Sequence, residues 1–349
     1  MKTDKPSGQT VIPYRESGGR HAHSILLKSA AAVLLLLLFC GVFCGAAAAA
    51  VKSGDSGNTT WTLNGGTLTI SAKEGTNGAM ANYNDSKNVP WYSSRTEITN
   101  VVIGSGFTTI GDFAFWGCSG LSSITIPSGL TSIGKSAFEK CEALTSISIP
   151  SSVTSIGESA FEMCEALTSI SIPSSVTTIG NYAFRDCSSL TSVTIPSSVT
   201  SIGICAFALC SSLTTINTDS GNNNYQSIDG VLFSKDGSSL IQYPSGNLNT
   251  SYEIPATVTT IMQSAFEKCV NLKSVTVASD SKLMTIGRHA FYECWQLSSI
   301  TLPSNVTTIG HSAFYDCRSL SSITLPSSVT TIDDYAFQFC SSLSSIMLL

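Results

Sequence analysis

Apolar and polar residues alternate along this chain in a fixed 23-residue order, seen most cleanly from Cys141 to Met163, CEALTSISIPSSVTSIGESAFEM. The next unit opens at Cys164 with CEALTSISIPSSVTTIG, and the frame returns at Cys187, Cys210, Cys269, Cys294, Cys317 and Cys340. A fixed period in this range predicts a solenoid, in which each unit forms one coil and buries its apolar side chains against its neighbours. Within the unit, Ile147 and Ile149 alternate with outward Ser146 and Ser148, the pattern of a strand with one buried face. Pro150 has no N–H and a fixed φ, so it ends that strand and turns the chain. Val153 and Ile156 point inward from a second extended stretch. Gly157 permits the bend into Ser159-Ala160-Phe161, which reads as a short helical turn closing on Cys164.

Written as a consensus, the unit is L-x-x-I-x-I-P-x-x-V-x-x-I-G-x-x-A-F-x-x-C. It resembles the BspA-type leucine-rich repeat of microbial surface proteins, from about Ile98 to Leu349. The resemblance implies a curved right-handed solenoid with a parallel β-sheet on one face, here joined to short helical turns on the other. It also implies a part in adhesion or surface binding, and it supplies no catalytic residues.

Ahead of the coils, residues 51–60 are mostly Gly, Ser, Asn and Thr with little to bury, the composition of a flexible spacer. Trp61-Thr-Leu, Asn64-Gly-Gly and Thr67-Leu-Thr-Ile then read as a β-hairpin. Its place is an N-terminal cap over residues 61–97, with the solenoid running from 98 to 349. The frame fails between Cys210 and Cys269, which are 59 residues apart, two periods plus 13. There Tyr225 to Pro244, YQSIDGVLFSKDGSSLIQYP, reads as a β-hairpin around Lys235-Asp-Gly, set in an insertion at about 219–253. Such hairpins belong to the same resemblance, and this one is expected as a spacer packed on the side of the solenoid. The last unit stops in mid-strand at Ser345 to Leu349, with Phe337, Cys340, Leu343 and Ile346 uncovered. That leaves open a second reading, a structural surface protein whose copies self-associate through this coil.

Composition narrows the function classes. Charged residues are 12% of the 349, and after Ala50 there are 13 Lys and Arg against 21 Asp and Glu. An acidic excess without basic clusters does not suit a nucleic-acid backbone. Ala30 to Val51 is an uninterrupted apolar run behind Lys2, Lys5, Arg15, Arg20 and Lys28. Residues 1–50 are thus a cytoplasmic leader followed by an export signal. The small residues at Ala46 to Ala50 favour cleavage, while the run's length leaves a retained membrane anchor open. The protein is expected outside the cell or at its surface, with membrane contact only through this segment.

Twelve cysteines would suggest a disulfide framework, but nine of them, Cys118 to Cys340, hold one place in the repeat. Such a ladder reads as buried free thiols. Cys205 is off frame, in the variable pair before the repeat Ala, and is the cysteine expected to reach the surface. Gly54-Asp-Ser-Gly57 lacks the partners that would activate a serine. His289 and His311 hold different repeat positions without clustered carboxylates, so neither metal nor cofactor is implied. The chain reads as a noncatalytic binder of an extracellular protein or glycan.

Two faces could bind. Outward strand residues such as Ser146, Ser148, Ser169, Ser171, Ser322 and Thr324 form a surface of small hydroxyls, which offers hydrogen bonds without aromatic or Arg anchors. The A-F-x-x-C-x-x turn is more variable, and in the last coils it carries His289, Tyr292, Trp295, Tyr315 and Arg318. Tyr292 and Tyr315 share one repeat position, and Trp295 and Arg318 another, so stacking should gather them into one patch, the candidate ligand site.

Overall fold

The structure is a computed structural model that describes residues 50–76 and 78–349. The apolar run and its basic flank lie outside the described residues but for Ala50 and Val51. Among those described, no helix is long and apolar enough to cross a membrane.

The solenoid begins one strand earlier than its composition suggests. Strand β1 (Lys52–Ser56) pairs antiparallel with β2 (Thr59–Asn64), which pairs with β3 (Thr67–Ala72). The β2–β3 turn is Gly65-Gly66, with φ of 52° and 81°, the left-handed pair that a two-residue hairpin loop needs. Strand β3 then runs parallel to β4 (Asn100–Ile103), so the hairpin serves as the end strand of the coil sheet. Residues 52–56 are therefore strand, not spacer. Gly54 lies under the Trp61 ring, whose Nε1 would stand 3.0 Å from any Cβ there, and Lys52 Nζ bonds both Glu97 carboxylate oxygens at 2.8 Å. Backbone pairing and these contacts replace the β-propensity that the Gly- and Ser-rich stretch lacks.

Each coil has two extended edges and a turn. The first edge, L-x-x-I-x-I, pairs as parallel strands at Asn100–Ile103 with Ser123–Thr125, and at Ser192–Ile195 with Thr215–Thr218. In the coils between, it stands open, with a slot of about 350 Å³ bordered by Ser171 and Thr194. The second edge is continuous: Thr109–Ile110, Ser132–Ile133, Ser155–Ile156, Thr178–Ile179 and Ser201–Ile202 form one parallel ladder. Threonines reinforce it. Thr154 gives both its N–H (2.8 Å) and its Oγ1 (3.2 Å) to the Thr131 carbonyl, and Thr177 repeats this on Thr154. Parallel pairing of the first edge resumes in the later coils, from Ser251–Ile254 through Ser274–Val277 to Ser299–Ile300.

The turn is not helical. In every coil with a full turn the residue before the repeat Ala and the residue two after the repeat Phe have positive φ, as at Ser159 (52°) and Met163 (59°). Left-handed backbone disfavours side chains bearing a Cβ, and here it reorients alternate peptides so that N–H groups point along the solenoid axis. Ser136, Phe138 and Lys140 donate to the carbonyls of Glu158, Ala160 and Glu162 in the next coil, each at 2.8 Å. An α-helical turn would spend those donors within its own coil. Among the described residues, helix is confined to two 3-10 segments of the cap, Ser86–Asn88 and Tyr92–Glu97. Gly157 is required by stacking: a Cβ there would lie 2.6 Å from the Gly134 carbonyl carbon.

The core is a file of rings and thiols. Trp91 opens it, donating Nε1 to the Ala114 carbonyl at 2.7 Å and stacking on Phe115. The phenylalanines follow coil by coil, with Phe138, Phe161 and Phe184 at 5.2 and 5.3 Å and within 6° of parallel. Each repeat thiol from Cys141 to Cys210 donates to the Phe carbonyl of the coil before it, Cys164 to Phe138 at 3.1 Å. The repeat cysteines are free and buried, and burial pushes the Cys164 and Cys210 thiols up to about 12. Cys205 is buried as well, 7% exposed, against the expectation that it reaches the surface.

The insertion is part of this core. Val231–Ser234 pairs antiparallel with Tyr225–Ile228 and with Ser239–Gln242, and the last of these runs parallel to Thr260–Ile261 as a coil edge. Val231, Leu232, Phe233 and Leu240 are at most 1% exposed, because each of the two flanking arrays needs its end covered.

Two outcomes follow from this packing. Phe161→Ala should lower stability in urea unfolding by about 3–5 kcal/mol, since both stacked neighbours lose a partner. The repeat cysteines should resist alkylation in the native protein and react in denaturant without reductant; mass spectra showing them paired would refute the free-thiol core.

Candidate functional site

The left-handed turn sets what the solenoid displays. Residues one after the repeat Phe form a single row up the turn side: Trp116, Glu139, Glu162, Arg185, Ala208, Glu267, Tyr292, Tyr315 and Gln338. Residues just before the repeat Ala form a second row that includes Tyr182, Cys205, Ser264, His289 and Tyr335. Side chains in a row are one coil apart and touch. Arg185 pairs with Glu162 at 3.0 Å, and from the neighbouring position Lys140 Nζ reaches 4.8 Å over the Trp116 ring.

In the last three coils the rows become aromatic. Tyr292 and Tyr315 stack at 4.7 Å and 5° between planes, and His289 meets Tyr292 edge-on at 5.1 Å. The ribbon continues from His289 to His311, from His311 to Tyr335, and from Tyr315 to Phe339. Trp295 and Arg318 form a separate group on the rim. The Arg318 guanidinium lies 5.1 Å from the Trp295 ring, and both side chains hold Asp316, through Trp295 Nε1 at 3.1 Å and Arg318 Nη2 at 2.7 Å. The five sequence candidates thus fall into two adjacent groups, His289, Tyr292 and Tyr315 in one and Trp295 and Arg318 in the other.

The first group opens into a hollow of about 950 Å³ that sequence reasoning missed. It lies where one coil has a shortened turn. Leu240 pairs with Ile261 as Ile133 pairs with Ile156, and Tyr243 N–H donates to the Ala265 carbonyl at 2.8 Å as Phe138 does to Ala160. Between these landmarks stand only Ile241 and Gln242, where other coils have four residues ending in the repeat Ala, as in Gly134 to Ala137. The Phe stack is interrupted here, ending at Phe207 and resuming with Tyr243 on Phe266. Across the short turn, Cys205, Ala208 and Leu209 form a small apolar cluster with Tyr182, and Ser264 and Gln263 reach the Cys205 thiol. That contact buries Cys205.

Arg185, Glu267 and Ser264 line the hollow together with His289, Tyr292 and Tyr315. Glu267 is 7% exposed, and burial raises its carboxyl pKa against the pull of Arg185 and Lys268. Burial, then the nearby Arg288 and His311, lowers the His289 imidazole to about 4. The repeat frame itself could have found Arg185 and Glu267, which share the Tyr292 row. The shortened turn was hidden inside the insertion.

His289 is neutral near pH 7, and its folded-state pKa lies below the ordinary 6.5. Protons then bind the unfolded chain first as pH falls, so this group's contribution to stability is present above about 6.5 and is lost toward about 4. Thermal unfolding should accordingly show a smaller loss between these limits for His289→Gln than for the parent protein.

Comparison with known proteins accords with this architecture. A family profile described as BspA type leucine rich repeat region matches in six copies over residues 91–214, 157–250 and 242–349. A leucine-rich repeat protein of Eubacterium ventriosum is 30% identical, with 86% of this chain and 85% of that one covered and a TM-score of 0.71. A leucine rich cell surface protein of Faecalibacterium prausnitzii is 28% identical over 85% and 94% of the two chains, with a TM-score of 0.65. The pneumococcal vaccine antigen PcpA is 26% identical over 85% and 81%, with a TM-score of 0.70. A comparison with curated proteins gives no match. With the matched profile running through the whole coil array, the chain belongs to the BspA-type leucine-rich repeat family.

Proposed function

We propose that this protein is a noncatalytic binding protein, exported to the cell surface or beyond, that engages an extracellular protein or glycan through the turn side of its later coils. The observation that carries the reading is the paired, outward placement of Tyr292 on Tyr315 and of Arg318 on Trp295. These side chains do no work in the core, which in these coils already holds the stacked Phe266, Phe291 and Phe314. Aromatic and Arg side chains that desolvate well are the groups that dominate interface energy. The equivalent turns of earlier coils carry Glu142 and Glu165, which a solvated surface needs. Two of the similar bacterial proteins, one a leucine rich cell surface protein and the other a vaccine antigen, support the surface assignment.

Replacing Trp295 and Tyr315 together by Ala should weaken partner binding at least about tenfold, or ~1.4 kcal/mol, without unfolding the coil. Glu142→Ala with Glu165→Ala should change it little. Equal losses in both pairs would move the site to the hydroxyl face or the 225–244 segment. Light scattering on the purified protein separates the second reading: a monomer that binds supports the proposal, and oligomers that grow with concentration favour self-association.

A further inference from the structure

Seven pairs of adjacent coils share the same turn ladder, in which three N–H groups of one coil reach three carbonyls of the next. The coil before the shortened turn breaks the rule. The N–H groups of Cys205, Phe207 and Leu209 find no backbone acceptor among the described residues, although all three residues are at most 8% exposed. By the geometry of the ladder these donors point along the axis toward the short turn, where Cys205 and Leu209 line the hollow. Buried N–H groups carry a large cost when unpaired, so a site that presents three of them suits a ligand bearing acceptor oxygens.

Opposite them the hollow offers acceptors and ring faces. Glu267 has no ion-pair partner within 4.0 Å among the described residues, and its carboxylate lines the cavity. The other carboxylates are matched: Glu158 by Lys135 at 2.7 Å, Glu162 by Arg185 at 3.0 Å and Glu293 by Lys268 at 3.7 Å. Arg288, which also lines the hollow and has no ion pair within 4.0 Å among the described residues, offsets Glu267 in the charge count. The hollow thus presents donors, acceptors and a flat Tyr292–Tyr315 platform with nearly balanced charge. A polyanion or a polycation would gain nothing from such a wall, whereas a chain of hydroxyls with apolar ring faces would use every part of it.

We infer that the hollow binds a neutral oligosaccharide, laid along the Tyr292 and Tyr315 rings with one sugar seated between Glu267 and the 205–209 backbone. The inference rests on the binding reading above and names its ligand class. The stacked tyrosines supply sequence-tolerant contact to sugar faces, Glu267 accepts from hydroxyls, and the three N–H groups donate to hydroxyl or amide oxygens. Neutral His289 can do both.

The test is calorimetric titration of the protein with cellohexaose, maltohexaose, xylohexaose and chitohexaose, with octalysine and octaglutamate as charged controls. At least one neutral hexasaccharide should bind. Its affinity should fall at least about tenfold in Tyr292→Ala and again in Glu267→Gln, and stay nearly constant up to about 1 M salt. Thermal melts of both variants confirm that they fold; if either does not, Tyr315→Ala, on the same ring platform, should weaken the sugar at least about tenfold in its place. Failure of every hexasaccharide to bind would overturn the inference, as would binding untouched by Tyr292→Ala or salt-sensitive capture of octalysine through Glu267. Extracellular proteins stripped of glycans serve as the second arm. If they bind with the Trp295 and Tyr315 dependence while no sugar does, the binding reading stands and this inference falls; if neither arm binds, both fall.

Discussion

The one-way backbone ladder of the turn is the constraint on which the rest of the molecule depends. Each coil is too small to hold itself together, so its order must come from the coils above and below. Along the second edge this happens by ordinary parallel pairing. At the turn it takes two left-handed residues per coil, an expense in backbone energy that is met because three N–H groups then reach the next coil. Holding the turn open also places the repeat Phe ring flat on its neighbour and brings the Cys thiol under the preceding Phe carbonyl. Ring file, thiol file and ladder are three results of one backbone geometry.

The same constraint explains why a small local change has a large effect. Loss of two residues between Leu240 and Tyr243 removes one rung set from the turn side, while the second edge keeps its register from Ser239 and Leu240 to Thr260 and Ile261. The coils on either side approach across the gap, Ser264 reaches Cys205, and Glu267 is carried into a hollow that no regular pair of coils contains. A site in a solenoid need not be a dedicated loop. Here it is a missing piece of the repeat, walled by side chains that the intact repeat would display as surface.

Low charge and abundant Ser and Thr acquire a physical meaning in this light. Thr131, Thr154 and Thr177 spend their hydroxyls on carbonyls of the preceding coil, so much of the polar composition is structural glue rather than solvated surface. The turn rows are where the chain is free to vary, since the ladder uses their backbone and leaves their side chains outside. Early coils fill them with ion pairs and later coils with rings.

By itself the sequence determined the period, the inward residues of both edges, the Phe and Cys files and the coincidence of Tyr292 with Tyr315. All of these follow from contacts between equivalent positions of adjacent units, which a repeat writes out in plain order. Tertiary structure alone decided that Lys52–Ser56 is a strand, that the turn is left-handed and not helical, and that Cys205 is buried. It also decided that Arg185 and Glu267 share a cavity with His289. The physical reason is common to these cases. Each depends on what one segment finds in its neighbour, such as an edge to pair with, a carbonyl in reach or a gap two residues wide, and local propensity carries no record of the neighbour.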